Sequence, residues 1–420
     1  MSSVSESQIT ASPIVTGNTA HTRPENRVFY PALDGVRALA FLMIFGLHYL
    51  QLPWGWTGVD IFFVLSGFLI TGILFDTSND LHRIRNFYVR RTLRIFPLYY
   101  GVMLTMLLTS PLIHWQWNWK WLIWPAYLGN YARFLHPYKL GDSFELLVDF
   151  QLRGTLGHHQ IALSLAHFWS LCVEEQFYLV WPWAVFWIRN RKKLLWICAC
   201  TFPLCLTMRL LGQHYLPYWM LKHEILYRVT PFRLDSFLLG GLIALVLRGN
   251  HRQIFLKLAR KVFPFAIGVV LLWLLLAPHR HLWQRPYPYP DWRFTWGLSV
   301  VDILSGLLIL VALQEGSAVF RFFSLRPLRW IGRMSYGAYI LHDMPHALYK
   351  SLSLILVRHF NSGRLVSEHF IQIQAAVVTA VVSLASTLFF AWLSFRYLES
   401  PFLELKEKWA TRTASRKTEA

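Results

Sequence analysis

The sequence predicts an all-α polytopic membrane protein of about ten transmembrane helices, with both the N-terminus and the C-terminus in the cytoplasm. Of its 420 residues, 55% are apolar and only 15% are charged, which excludes a soluble globular domain and a disordered chain. The apolar residues fall in runs close to the length of about 20 residues that a helix needs to cross a bilayer. Its net charge of +19 comes from basic residues lying mostly between those runs, where they orient a membrane protein rather than bind nucleic acid.

The elements follow in order. Residues 1–29 are rich in Ser and Thr and hold no apolar core before a cleavage site, so they read as a disordered cytoplasmic tail, not a signal peptide. Residues 30–403 form the transmembrane domain. Its spans are predicted at 36–52, 57–75, 95–113, 168–188, 194–211, 230–247, 262–278, 294–314, 334–357 and 371–395. Residues 404–420 form a charged cytoplasmic tail. With the N-terminus inside, the inner connections and tails carry 26 basic residues and the outer ones 11, with Arg37, Arg209, Arg233 and Lys350 inside spans. That bias fits the positive-inside rule. The stretch His114 to Arg133, with five tryptophans from Trp115 to Trp124, is apolar enough for an eleventh span. Counting it would turn the basic run Arg189–Lys193 outward, so it is placed in the outer interface, where Trp is favoured.

Cys172, Cys198, Cys200 and Cys205 lie in or beside apolar runs without zinc-like spacing and read as packing residues, with no metal expected. No polar stretch recurs in the other half of the chain, which disfavours a transporter built from inverted repeats.

Ionisable groups within spans are costly and mark where function should be sought. Arg37 and His48 are eleven residues apart, about 16 Å of rise and about 20° of rotation, so they share one helix face at different depths. Arg37 also reads as an inner anchor, and His48 as bonded to a neighbouring carbonyl. Asp60 is expected at the depth of His48 on the antiparallel neighbour, where a carboxylate holds an imidazole in one tautomer; capping of its own helix is the alternative. Arg91 and Arg94 share a helix face before Pro97, suited either to a polyanionic ligand or to lipid headgroups. Glu174 and Glu175 sit in the second turn of a span and cannot share one face, so at least one points into a polar cavity. Arg233 and Asp235 pair with each other or with Glu174. The ninth span carries Ser335, Tyr336, Tyr339, His342 and Asp343, with Pro345 expected to break it.

These residues resemble a known family. Leu33-Asp34-Gly35-Val36-Arg37-Ala38 with His48, and Gly58-Val59-Asp60-Ile61-Phe62-Phe63-Val64-Leu65-Ser66-Gly67-Phe68, look like the opening helices of the acyltransferase-3 family of integral-membrane O-acyltransferases. Arg90-Arg91-Thr92-Leu93-Arg94-Ile95-Phe96-Pro97 is similar to its basic pair, and Phe168-Trp169-Ser170-Leu171-Cys172-Val173-Glu174-Glu175 to its Ser-Leu-x-x-Glu segment. Arg233-Leu234-Asp235, Gly332-Arg333-Met334-Ser335-Tyr336 and Tyr397-Leu398-Glu399-Ser400-Pro401 continue the likeness in order, across roughly residues 30–403.

The resemblance implies that Arg37 and His48 form the family's Arg-x10-His motif and that Arg91 and Arg94 belong to the acyl-CoA side. It implies an O-acetyltransferase of the bacterial inner membrane, with no permanently bound cofactor and acetyl-CoA or another acyl-CoA as co-substrate. The expected acceptor is an extracytoplasmic glycan such as lipopolysaccharide O-antigen or exopolysaccharide. His48 would take the proton of a sugar hydroxyl attacking the thioester, with Asp60 or Glu174 favouring the imidazolium, or would itself carry the acyl group. Ser170, Glu175, Arg233, Asp235, Ser335, Tyr336 and His342 are expected in the acceptor cavity or its support. Many relatives append an esterase-like domain; with about twenty residues beyond its last helix, this chain is expected to complete transfer alone or with envelope-polysaccharide assembly proteins. A glycan or acyl-donor transporter or flippase, and a non-catalytic scaffold, are the competing readings.

Overall fold

A computed structural model describes residues 30–117, 119–134, 151–222, 224–276, 292–362 and 367–410. The expected N-terminal tail, residues 411–420 of the C-terminal tail and residues 135–150 of the long outer connection lie outside the described residues. Helices overlap all ten predicted segments: α1 (Pro31–Tyr49), α2 (Thr57–Asp76), α3 (Arg83–Leu108), α4 (Trp169–Ile188), α5 (Arg191–Tyr215), α6 (Leu234–Val246), α7 (Arg252–Leu276), α8 (Trp296–Ala312), the pair α9 (Ser335–Leu341) and α10 (His346–Phe360), and α11 (Glu368–Leu393). Four helices, Pro31–Tyr49, Thr57–Asp76, Arg191–Tyr215 and Glu368–Leu405, are long and apolar enough by length and composition to cross a membrane.

The breaks and boundaries have local causes, and the break at Pro345 and the lack of a spanning helix over 114–133 are as expected. The ninth span is two helices, because Pro345 at the entry to α10 cannot donate a helical hydrogen bond. Helix α3 begins twelve residues earlier than predicted; its arginines suit a helix whose first turns leave the apolar layer. The stretch after α3 is not an eleventh spanning helix. It consists of a four-residue helix, Ser110–Ile113, and the 3-10 turns Trp119–Ile123 and Gly129–Phe134, with Trp115, Trp121 and Trp124 folded inward. The first part of the expected C-terminal tail is helical, since Ser400–Ala410 packs along α3.

The all-α expectation missed one hairpin. Strands β1 (Gln151–Leu156) and β2 (His159–Ser164) pair antiparallel with Leu156 opposite His159. Gly157 takes φ +59° in the two-residue turn, a conformation that favours glycine.

Helix α2 is the centre, touching α1, α4, α6 and α8. Its approach to α6 is backbone on backbone: a Cβ on Gly67 would meet the Phe237 carbonyl oxygen at 1.8 Å, and one on Gly240 the Val64 carbonyl at 2.0 Å. Small residues at both crossing points permit this, as in close-packed membrane helices. The outer helices face their apolar side chains outward, with Leu204 and Leu211 on α5, Phe265 on α7, and Val377, Val381 and Phe389 on α11 exposed. A surface of that kind needs a lipid solvent, and the fold is that of a multi-pass membrane protein.

Two ion pairs lie within the core. Arg233 donates to Asp60, both fully buried, and lies over the rings of Tyr227 at 5.0 Å and Phe63 at 5.2 Å. Arg209 on α5 donates to Asp235 and Ser299 on α6 and α8 at 2.6 and 2.7 Å, and to the carbonyls of Phe232 and Thr295. Removing one partner strands the other charge, so Asp60→Ala is expected to destabilise the fold by about 3–5 kcal/mol. Replacing both partners by apolar residues, Asp60→Leu with Arg233→Met, is expected to recover most of that loss. Thermal unfolding of the purified protein in detergent checks both outcomes.

Candidate functional site

Two cavities lie towards opposite ends of α1. The first, of about 210 Å³, is lined by Arg37 of α1, Ser66 of α2, Arg91 and Arg94 of α3, and Glu174 and Tyr178 of α4, with Ser170, Ser335, Tyr336 and Tyr339 completing the wall. Arg37 is held by Asp34, one helical turn earlier, through an Nη1–Oδ1 contact of 2.6 Å. The Arg91 guanidinium lies 4.5 Å from the Tyr178 ring centre, a cation–π geometry. Ser66 donates to Glu174 Oε1 at 2.6 Å and stands 2.9 Å from the Tyr178 hydroxyl. Three guanidiniums facing one engaged carboxylate make this a basic cavity, suited to an anionic ligand.

The second cavity, of about 340 Å³, is lined by Leu47, His48, Ala162, Ser164, Asp343, Met344, His346 and Ala347. Asp343, in the break between α9 and α10, is its hub. The Asp343 carboxylate lies 3.3 Å from His48 Nδ1, 3.6 Å from His167 Nδ1 and 3.7 Å from His346 Nδ1, and it accepts from Ser164 Oγ at 3.1 Å. The hairpin closes the arrangement, since the Ser164 amide donates to the Met344 carbonyl at 3.0 Å. The ring of His342 stands 5.2 Å from that of His48 and 4.8 Å from that of His167, while Tyr49 donates to the His342 carbonyl at 2.6 Å.

The two cavities share no lining residue. Between them lies a hydrogen-bonded partition: Ser170 and Tyr339 hydroxyls 2.6 Å apart, Tyr339 donating to the His167 carbonyl at 2.9 Å, and His167 Nε2 at 2.9 Å from the Ile340 carbonyl.

The sequence-selected residues therefore divide. Arg91 and Arg94 share one wall, as their spacing of three predicts, and Arg37 joins them from α1, with Ser170, Ser335 and Tyr336 in the same wall, although Tyr336 also donates to the Ile95 carbonyl at 2.6 Å. His48 and His342 meet in the second site. The expected His48–Asp60 pair is not formed: Asp60 faces α6 and is taken by Arg233, and the carboxylate beside His48 is Asp343. Glu174 is not beside His48 either, because α4 turns it towards Ser66 on α2 and into the basic cavity. Glu175 faces away from Ser66, with Oε1 buried and without a hydrogen-bond partner among the described residues. Arg233 and Asp235 do not pair with each other or with Glu174; Arg209 takes Asp235. His167, His346 and Ser66 were not singled out as site residues, and Asp343, named on the ninth span, was given no role, although an aspartate two residues before a helix-breaking proline is a signal for irregular backbone lining a cavity.

Comparisons with known proteins bear on the family of the chain. The acyltransferase-3 model, described as an acyltransferase domain, matches residues 30–396. The chain is 30% identical over 399 residues to the peptidoglycan O-acetyltransferase OatA of Listeria monocytogenes, covering 90% of this chain and 56% of that protein. It is 24% identical over 390 residues to the O-acetyltransferase OatA of Staphylococcus aureus, covering 89% and 57%. The chain thus spans little more than half the length of these curated relatives. No solved structure matches. With the basic cavity on Arg37 and the carboxylate-backed His48 eleven residues along the same helix, and a family match across nearly all described helices, the chain belongs to the acyltransferase-3 family.

Proposed function

We propose that the chain is an O-acetyltransferase of a bacterial cytoplasmic membrane, moving an acetyl group from cytoplasmic acyl-CoA to a hydroxyl of a glycan outside the membrane. The observation that carries this reading is the division of labour along α1: Arg37 opens a cavity of three guanidiniums, and His48 opens a cavity in which a carboxylate stands behind an imidazole. The first suits the anionic donor and the second a sugar hydroxyl. The names of the relatives favour peptidoglycan as the acceptor over the O-antigen or exopolysaccharide expected from the sequence.

In this reading the His48 Nδ1–H points to Asp343, which leaves Nε2 as the base. The hydroxyl oxygen bonds to the thioester carbonyl carbon as Nε2 takes its proton. The carbon–sulfur bond then breaks, and the CoA thiolate recovers the proton from the imidazolium, so one ester and one free thiol are formed. Asp343 stabilises the transient cation. His167 and Ser164 hold Asp343 in place and are positioning residues, as is Asp343 itself.

His48→Ala is expected to lower transfer by about 10²–10⁴-fold while membrane-inserted protein accumulates normally. The measurement is alkali-labile acetate on peptidoglycan and, separately, on lipopolysaccharide or other surface glycans, from cells expressing each variant. Unchanged acetylation would falsify the assignment of His48, and acetate appearing only outside peptidoglycan would redirect the acceptor.

Asp343→Asn keeps the shape of the side chain and removes its charge. It is expected to slow turnover on the order of tenfold or more with the apparent donor KM little changed, and Asp343→Glu is expected to restore part of the rate. Equal turnover in wild type and Asp343→Asn would leave Asp343 as a packing residue.

A further inference from the structure

A third, smaller cavity opens beside the basic one. It measures about 80 Å³ and adds Arg83, Asn86 and Arg90 of α3 and Thr77 and Asp80 of the preceding turn to a wall that it shares with the first cavity through Ile73, Arg91 and Arg94. We propose that this pocket is a phosphate subsite, which takes a phosphate from the nucleotide end of an acyl-CoA whose thioester arm lies in the neighbouring cavity. The proposal rests on the donor reading above and assigns it a second set of residues.

Three observations carry it. Charge comes first: four guanidiniums against the single carboxylate of Asp80 leave the pocket strongly basic. Size comes second, because 80 Å³ is the room of between two and three waters at about 30 Å³ each, enough for a phosphate and too little for a whole nucleotide. The third is alignment. Arg83, Asn86, Arg90 and Arg94 follow one another at helical spacings of three or four and form one stripe on α3, with a rise of about 16 Å from Arg94 to Arg83. A linear donor with its anionic groups at one end and its thioester at the other matches such a stripe.

Arg83 is also set for an outside partner. Its Nη1 donates to the Ser78 carbonyl at 3.0 Å and its guanidinium lies 5.3 Å from the Phe186 ring centre, which fixes the fork in place. Its Nε is buried and without a hydrogen-bond partner among the described residues. An arginine that only anchors the helix in lipid headgroups has no need of a concave wall shared with the reaction cavity. The same phosphate chemistry is offered by anionic lipid, so the test separates the two sources.

The full chain in nanodiscs of phosphatidylcholine, with and without phosphatidylglycerol, is titrated with CoA and with pantetheine, which lacks the phosphates. Wild type is expected to bind CoA at least tenfold more tightly than pantetheine. Arg83→Gln with Arg90→Gln is expected to remove about tenfold or more of that preference, in both lipid compositions, while pantetheine affinity stays the same. If the double variant keeps the wild-type preference, or loses affinity equally for both ligands, the subsite is overturned while the donor reading stands. A variant whose only change is a lost response to phosphatidylglycerol also overturns it and makes the pocket a lipid-headgroup site. Failure of wild type to bind CoA at all rejects the donor reading and the subsite with it. Should the glutamine pair not accumulate, Arg83→Lys with Arg90→Lys keeps the charge and loses the planar fork; a smaller loss of preference supports the proposal and an unchanged preference overturns it.

Discussion

A charge inside a bilayer has to meet its counter-charge within the protein, and α2 is where this chain meets that requirement. Asp60 on α2 pairs with Arg233 at the start of α6, while Arg209 on α5 binds Asp235 on α6 and Ser299 on α8. The direct backbone contact at Gly67 and Gly240 brings these helices close enough for short side chains to reach. Helices α2, α5, α6 and α8 are thereby tied to one another before any ligand is considered. Buried pairs of this kind add little net stability, so their value here is geometric: each guanidinium accepts only one arrangement of helices. Helix α1 also packs against α2, and its Arg37 and His48 take their partners, Asp34 and Asp343, from outside this set and line the cavities.

Much of this was legible from the sequence, and the limits have a physical pattern. Apolar runs and basic connections located the helices, because burial in lipid requires length and apolarity that few other structures need. Spacing put Arg91 and Arg94 on one face, since residues three apart on a helix share it whatever surrounds it, while their meeting with Arg37 depends on how α1 packs beside α3. Pairing across helices was the failure. The depth argument set Asp60 beside His48, but depth says nothing of the direction in which a side chain leaves its helix, and Asp60 leaves towards α6. Glu174 went astray for the same reason. Asp343 was visible at a helix break, yet its role depends on β2 and on His167, which lie about 180 residues earlier in the chain. The hairpin itself was hidden because six-residue strands of mixed character carry a weak signal beside 20-residue apolar runs.

The partition between the cavities bears most directly on how such a chain works. The rise from Arg37 to His48 is about 16 Å, roughly half of the 30 Å hydrocarbon layer. In the proposed reaction each cavity is reached from its own side, and neither needs to cross the bilayer whole. What separates them is a layer of side chains, Ser170, Tyr339, His167 and His342, joined by hydroxyl and imidazole hydrogen bonds. Aliphatic packing in that place would give a barrier whose only rearrangement is loss of contact, whereas a hydroxyl pair exchanges partners at little cost by rotating. In the proposed reaction only the acetyl carbonyl has to pass this layer. There the nucleotide stays on the arginines of α3 and the glycan on the side of His48, and the hydroxyl layer is what the thioester has to reach across.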